Sequence, residues 1–213
     1  GNLDRARHYL ALAERLVNPP PERLIITHGV AGCGKSRASR RLLLRDPAAA
    51  TIRLRSDVER KRLFDLATSA SSGSSLDAGI YAADASERTY RRLLQLARDL
   101  LAAGWSVIVD AAFLQGARRD AFRALAKQLR AAFFIVAPQA TPAVLRARIR
   151  GRLAKCDDPS EATLAVLAKQ LSEREPLRAD ELDFLLQEQQ LPRPVAAPLA
   201  SRQYRGDDVS PDH

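Results

Sequence analysis

The sequence predicts an α/β fold, a three-layer sandwich in which a parallel β-sheet carries helices on both faces. Three observations point there. Short apolar, β-branched runs at Leu24-Ile25-Ile26, Trp105 to Asp110 and Phe133 to Val136 alternate with segments whose apolar residues recur at helical spacing. That alternation builds βαβ units and hence parallel strands. At the first strand-to-helix junction, Gly29-Val30-Ala31-Gly32-Cys33-Gly34-Lys35-Ser36 matches G-x-x-x-x-G-K-[ST]. Two carboxylates, Asp57 and Asp110, fall at or just past the ends of further strands, where open α/β sheets collect ligands.

The elements follow in order. Leu3, Ala6, Leu10, Ala13 and Leu16-Val17 recur at helical spacing, so the chain opens on an amphipathic helix. Asn18-Pro19-Pro20-Pro21 ends it, because proline lacks the N–H and disfavours helix in the residue before it. A strand over Leu24 to His28, the glycine-rich loop and a helix over Arg37 to Arg45 come next. Thr51 to Arg55 alternates as a second strand, and Ser56 is expected to cap a helix starting near Asp57. Thr68 to Gly79, rich in Ser, Gly and Ala, reads as a mobile loop. Tyr81 to Ala103 reads as a long helix with Tyr90, Leu93-Leu94, Ala97 and Leu100-Leu101 on one side, stopped by Gly104. Trp105 to Asp110 is the clearest strand. A helix over Gly116 to Arg130 and a strand over Phe133 to Val136 follow.

Thr141-Pro142 opens the next helix, with proline at a tolerated first position. Its arginines Arg146, Arg148, Arg150 and Arg152 occupy alternate positions and suggest a helical lid. Asp157-Asp158-Pro159-Ser160 breaks to a helix through Leu164, Leu167 and Leu171, and Arg178 to Gln189 is expected as the last helix. Prolines 192, 194, 198 and 211 make the tail irregular. The expected units are residues 1–19 as an N-terminal helix, 20–190 as the ligand-binding domain and 191–213 as a Pro-rich tail.

Composition narrows the function classes. A chain of 213 residues holds one sizeable core rather than two full catalytic domains. Contents of 46% hydrophobic and 28% charged residues are those of a globular protein, with no apolar run long enough to span a bilayer and no secretory leader. A cytoplasmic location is therefore expected. Cys33 and Cys156 form no framework pattern, as in a reducing compartment. The chain lacks methionine, so it is expected to be a piece of a longer protein. The net charge of +9 has three readings: a nucleic-acid surface, a site holding the charges of ATP, or solvated arginine-rich helix faces. Sparse aromatics near the basic clusters weaken single-strand binding.

The glycine-rich loop names the ligand. Backbone N–H groups turn inward around an anion, and the following helix adds its positive end. Gly29, Val30, Ala31, Gly32, Cys33, Gly34, Lys35, Ser36 and Arg37 are the expected nucleotide-binding set, with Lys35 on the β/γ-phosphates and the Ser36 hydroxyl on Mg²⁺. A motor-type ATPase needs a glutamate after the strand-end aspartate to polarise water, but Asp110 is followed by Ala111-Ala112. An Asn-Lys-x-Asp guanine reader and a transporter-type LSGGQ are absent too. What remains is phosphoryl transfer to an acceptor hydroxyl, carried by positioning and charge neutralisation.

Asp57 could then accept the hydroxyl proton, or merely serve as an N-terminal helix carboxylate. Asp110 could orient Mg²⁺ through water, or cap the strand end. Arg148 and Arg152, at i, i+4 on one helix face, could close over the phosphates, or belong to a solvated basic helix. Cys33 is expected to react with thiol reagents in competition with ATP unless its side chain faces away from the loop interior.

From about Leu24 to Gln170 the chain resembles the P-loop NTPase kinases grouped with polynucleotide 5′-kinase, zeta toxin, chloramphenicol phosphotransferase and gluconate kinase. The residues that carry this are Gly29 to Ser36, Asp57-x-x-Arg60, Val107 to Asp110 with Arg119 nine residues on, and the arginine-rich lid. The resemblance implies that Asp57 is the general base and that Arg60 contacts the acceptor, with Arg119 alongside. Polynucleotide kinases show Asp-x-Thr/Asn where this chain has Asp110-Ala111-Ala112-Phe113, a departure from a nucleic-acid acceptor.

Arg55 to Phe64, Gly79-Ile80-Tyr81 and Asp110 to Leu114 look like a bacterial ATP-binding domain found behind an aminoglycoside-phosphotransferase-like domain. That likeness runs from the first helix to about Glu181 and implies such a domain upstream. The expected activity is an ATP- and Mg²⁺-dependent phosphotransferase with a small-molecule acceptor. Its competitors are a polynucleotide 5′-hydroxyl kinase and a nucleotide-binding regulatory module that transfers nothing.

Overall fold

Four strands form one parallel sheet in the order β2-β3-β1-β4. The computed structural model describes residues 2–17, 21–46, 49–66, 83–153 and 163–186. The strands are β1 (Arg23–Thr27), β2 (Thr51–Arg55), β3 (Ser106–Asp110) and β4 (Ala132–Val136). β1 lies at the centre, pairing Ile25 with Ile108 of β3 and with Phe134 of β4. Parallel strands need crossover connections, and helices supply them. In chain order the helices are α1 (Asn2–Val17), α2 (Lys35–Leu44), α3 (Ser56–Leu63), α4 (Ala83–Ala102), α5 (Gly116–Gln128), α6 (Pro142–Leu153), α7 (Leu164–Glu173) and α8 (Ala179–Leu182).

The period-2 geometry of the strands sorts the core into two layers. Leu24, Ile26, Val107, Val109, Phe133 and Ile135 face one side, packing with Leu93 and Ala97 of α4 and Phe122 and Leu125 of α5. Ile25, Ile108 and Val136 face the other and meet Ala38 and Leu42 of α2. Strands buried on both faces explain the unbroken apolar runs in the sequence. A separate cluster holds Val30, Ala31 and Cys33 against Leu145 and Ile149 of α6 and Leu167 of α7.

Two boundaries depart from expectation. Ser56 is the first residue of α3 rather than its cap, and Arg55 takes the cap position in extended conformation without a side-chain cap bond. The helix expected over Arg178 to Gln189 is a four-residue turn, Ala179–Leu182. After it the backbone lies against the open edge of β4: Ile135 donates to Phe184 (2.8 Å) and Leu186 donates to Ile135 (2.9 Å). Covering that edge rewards an extended chain over a longer helix. The segments expected as a mobile loop (Thr68 to Gly79) and as an irregular tail (from Leu191) lie outside the described residues. No described helix is long and apolar enough to cross a membrane.

Candidate functional site

β1 ends in a lattice of bonds that sets the loop after it beside the end of β3. The Thr27 hydroxyl donates to the Ala111 carbonyl (2.6 Å) and accepts from the Ala111 N–H (3.1 Å). Gly29 donates to Ala112 (3.0 Å), and His28 to Val136 of β4 (2.8 Å). The loop can then follow a path that side chains would obstruct. Gly34 stands at φ +112°, in the left-handed region, as the residue before α2. Gly32, at φ +82°, would carry a Cβ 3.1 Å from the Leu145 carbonyl, so α6 lies directly against the loop.

Lys35 closes the loop upon itself. Its ammonium donates to the carbonyls of Gly29 (2.9 Å) and Val30 (2.8 Å). The first turn of α2 starts there, and its N–H groups have no preceding helical carbonyl to meet. An anion is the natural partner of that ring of amides and ammonium. Two helices clamp the loop from outside. Arg148 of α6 donates to the Gly32 carbonyl (2.9 Å) and the Cys33 carbonyl (3.4 Å). The Gln170 carboxamide oxygen of α7 accepts from the Ala31 N–H at 2.6 Å. The Cys33 side chain is 5% exposed, packs in the apolar cluster beneath the loop and places its Sγ 3.9 Å from the Lys35 ammonium. Arg37 is exposed on α2, and the Arg152 side chain lies outside the described residues.

The carboxylates lie at the end of β3, beside β1, and just past β2, one strand further out. Asp57, in the first turn of α3, accepts from the Arg55 guanidinium (2.7 Å) and from the Val58 N–H (3.0 Å). Arg60 is half-buried further along the same helix. Asp110, 5% exposed, receives the Arg53 guanidinium on its Oδ2 and lies 3.2 Å from the Ser39 hydroxyl. Arg53 is also 3.4 Å from the Ser36 carbonyl. No group of three or more His, Cys, Asp or Glu among the described residues could cage a metal. One hydroxyl at the start of α2 (Ser36) and one carboxylate at the end of β3 (Asp110) suit Mg²⁺, which keeps its waters and takes most remaining oxygens from substrate phosphates.

Arg119, expected beside the acceptor, is turned into the protein. It is 1% exposed and grips Glu181 with two bonds of 2.6 and 3.0 Å. Its remaining donors reach the carbonyls of Phe113 (3.1 Å), Leu114 (3.2 Å) and Pro176 (3.1 Å). A guanidinium has five N–H donors, and these contacts turn them into the protein. Burial pushes the Glu181 carboxyl up, but the Arg119 bond, the Arg178 N–H and both arginine charges outweigh it and hold it below its usual range.

Through this pair the α7–α8 segment is tied to Phe113, a non-glycine residue at φ +46°. Phe113 keeps that conformation because its N–H meets the Tyr90 hydroxyl (3.0 Å) and its carbonyl meets both Arg119 and His28 (3.0 Å). Its ring also stands edge-on to Tyr90 and Phe122.

His28 predicts a pH effect. It is 1% exposed, and burial lowers its pKa; the Arg119 and Arg174 charges lower it further, while the Phe113 carbonyl and Glu181 act the other way. A base with a depressed folded-state pKa binds fewer protons folded than unfolded, so its contribution is whole above the ordinary imidazole value of 6.5. It is lost as pH falls from there toward the folded value. Urea unfolding at about pH 7.5 and about pH 5.5 should show lower stability at the acid value, and His28→Gln should shrink that difference.

The family model described as AAA domain matches residues 24–177, from β1 to just past α7. The chain belongs to the AAA domain family. No sequence among the curated proteins matches it. Among solved structures, a Chloroflexus aurantiacus protein proposed to be a kinase is 22% identical, with a TM-score of 0.55 over 75% of this chain and 84% of that one. A Mycobacterium tuberculosis APS kinase, in complex with AMPPNP and APS, is 21% identical, with a TM-score of 0.54 over 79% and 89%. A Sinorhizobium meliloti gluconokinase is 19% identical, with a TM-score of 0.51 over 78% and 81%. At these identities the likeness shows the fold, and this AAA domain has the α/β fold of P-loop kinases. Two of its site residues escape sequence reading. Arg53 could have been suspected from its place beside Arg55 on one face of β2, whereas Gln170, 139 residues from its loop partner, carries no local signal.

Proposed function

We propose that this AAA domain transfers the γ-phosphate of ATP to a hydroxyl of a small-molecule acceptor. The observation that carries the reading is the Lys35-closed loop with the Arg148 guanidinium lying on it, on the same sheet edge as the Asp57 carboxylate just past β2. Lys35 would exchange the Gly29 and Val30 carbonyls for β/γ-phosphate oxygens, which are stronger acceptors. Asp57 would take the proton of the acceptor hydroxyl as its oxygen bonds to the γ-phosphorus and the bond to the leaving ADP oxygen breaks. Arg148, and Arg152 one turn on, would neutralise charge on the transferring group. Ser36 and Asp110 would hold Mg²⁺, which would offset the charge of the phosphates. Ala111 after Asp110 offers no carboxylate to activate water, which favours an alcohol over hydrolysis.

The test begins with thermal shifts against nucleoside triphosphates, then follows γ-labelled phosphate into fractionated small-molecule alcohols. A raised Tm with ATP and label in one acceptor fraction is expected. Tight ATP binding with no labelled product would instead make the domain a regulatory nucleotide binder, and label entering 5′-hydroxyl oligonucleotides would overturn the small-molecule acceptor.

A further inference from the structure

We infer that Arg53 is a resident counter-cation of the phosphate site, letting the loop hold ATP without a metal. The inference rests on the nucleotide reading above and adds to it a role for a residue outside the loop motif. Asp110 poses the electrostatic problem. Its buried carboxylate ends β3 and faces the first turns of α2, touching Ser39, three residues beyond Ser36. A polyphosphate in the loop would meet that negative charge in a site where water screens poorly, so a cation must stand between them. Mg²⁺ is one such cation. The chain supplies another.

Arg53 sits in the middle of β2, its side chain 14% exposed. One guanidinium nitrogen contacts both Asp110 and the Ser36 carbonyl, so the fixed charge lies against both residues that would hold a metal. Arginine keeps its charge at any working pH, and its planar head orients the carboxylate it grips. The contacts to Asp110 from Arg53 and Ser39 fall on the same oxygen, Oδ2. The other oxygen thus faces a different direction, and the pair can persist while Asp110 meets a hydrated ion. The same polar face of β2 pairs Thr51 with Asp46 (2.6 Å) and Arg55 with Asp57. Each of these strand residues meets a carboxylate, and the one Arg53 meets is the one beside the loop.

The test measures ATP dissociation constants by calorimetry, in EDTA and in excess Mg²⁺, for wild type, Arg53→Ala, Arg53→Gln and the double variant Arg53→Ala/Asp110→Asn. Wild type should lose at most about tenfold in affinity on removing the metal. Arg53→Ala and Arg53→Gln should lose at least about a further tenfold in EDTA, because Asp110 then repels the phosphates unopposed. In Mg²⁺ the same variants should stay within about threefold of wild type. The double variant has no uncompensated buried charge, so it should fold even where the single ones fail, and its EDTA affinity should return to within about threefold of wild type.

An equal loss in both conditions would assign Arg53 a merely structural role and overturn the inference. So would a double variant that fails to recover, or a wild type that binds ATP only with Mg²⁺. A wild type that binds ATP in neither condition would instead sink the nucleotide reading itself.

Discussion

Replacing Asp57 by Asn is expected to slow phosphoryl transfer by about 10²–10⁴-fold, the usual worth of a positioned general base. ATP affinity should stay within about twofold, since on the proposed reading the triphosphate would be held by the loop, Lys35 and Arg148 rather than by α3. The geometry makes the two readouts separable. Asp57 is fixed by Arg55 on one oxygen and by the Val58 N–H on the other. Each carboxylate oxygen has two lone pairs, so each keeps one for an incoming hydroxyl. Asparagine retains the size and one acceptor but cannot take the proton. The Arg55–Asp57 pair is partly exposed, with side-chain accessibilities of 24% and 19%, so its loss should cost the fold no more than about 1 kcal/mol. Single-turnover transfer and calorimetric ATP binding on the same preparation check this. Equal turnover by the two proteins would remove Asp57 from the chemistry.

Replacing Arg119 by Ala is expected to destabilise the domain by about 3–5 kcal/mol, because Glu181 would stay buried and charged without its partner. That is a large fraction of the 5–15 kcal/mol that typically holds a domain together. The loss should spread, since the same guanidinium ties the carbonyls of Phe113, Leu114 and Pro176. Removing both charges in Arg119→Met/Glu181→Leu should recover much of the loss, as no ion is then left unpaired in the interior. Urea midpoints at constant slope measure both. An Arg119→Ala protein of unchanged midpoint with a raised acceptor KM would return this residue to the acceptor, where the sequence alone had suggested it.

Arg119 shows where sequence reading stops. Its spacing from Asp110 is visible in the chain, but its partner Glu181 is 62 residues away on a short turn whose placement depends on tertiary contacts. Local pattern finds an arginine near a strand end and cannot say which side of the sheet it faces. The last helix fails for the same reason: Arg178 to Gln189 carries helix-compatible residues, yet the open edge of β4 offers Phe184 and Leu186 backbone bonds that a helix would forgo. Arg53 and Gln170 complete the loop's surroundings from β2 and α7 without any motif of their own.

The sequence by itself determined the strand-helix alternation, the parallel sheet, the glycine-rich loop with Lys35 and Ser36, and the two strand-end aspartates. These rest on short-range causes: side-chain periodicity, backbone freedom at glycine, and the N–H groups that every helix start exposes. Tertiary structure alone decided which charges meet. It set Arg53 on Asp110, Arg148 and Gln170 on the loop, and Arg119 on Glu181. Ion pairs form between whichever side chains the packed layers bring within reach, and the energy of desolvating a charge makes that choice only once the core has closed around it.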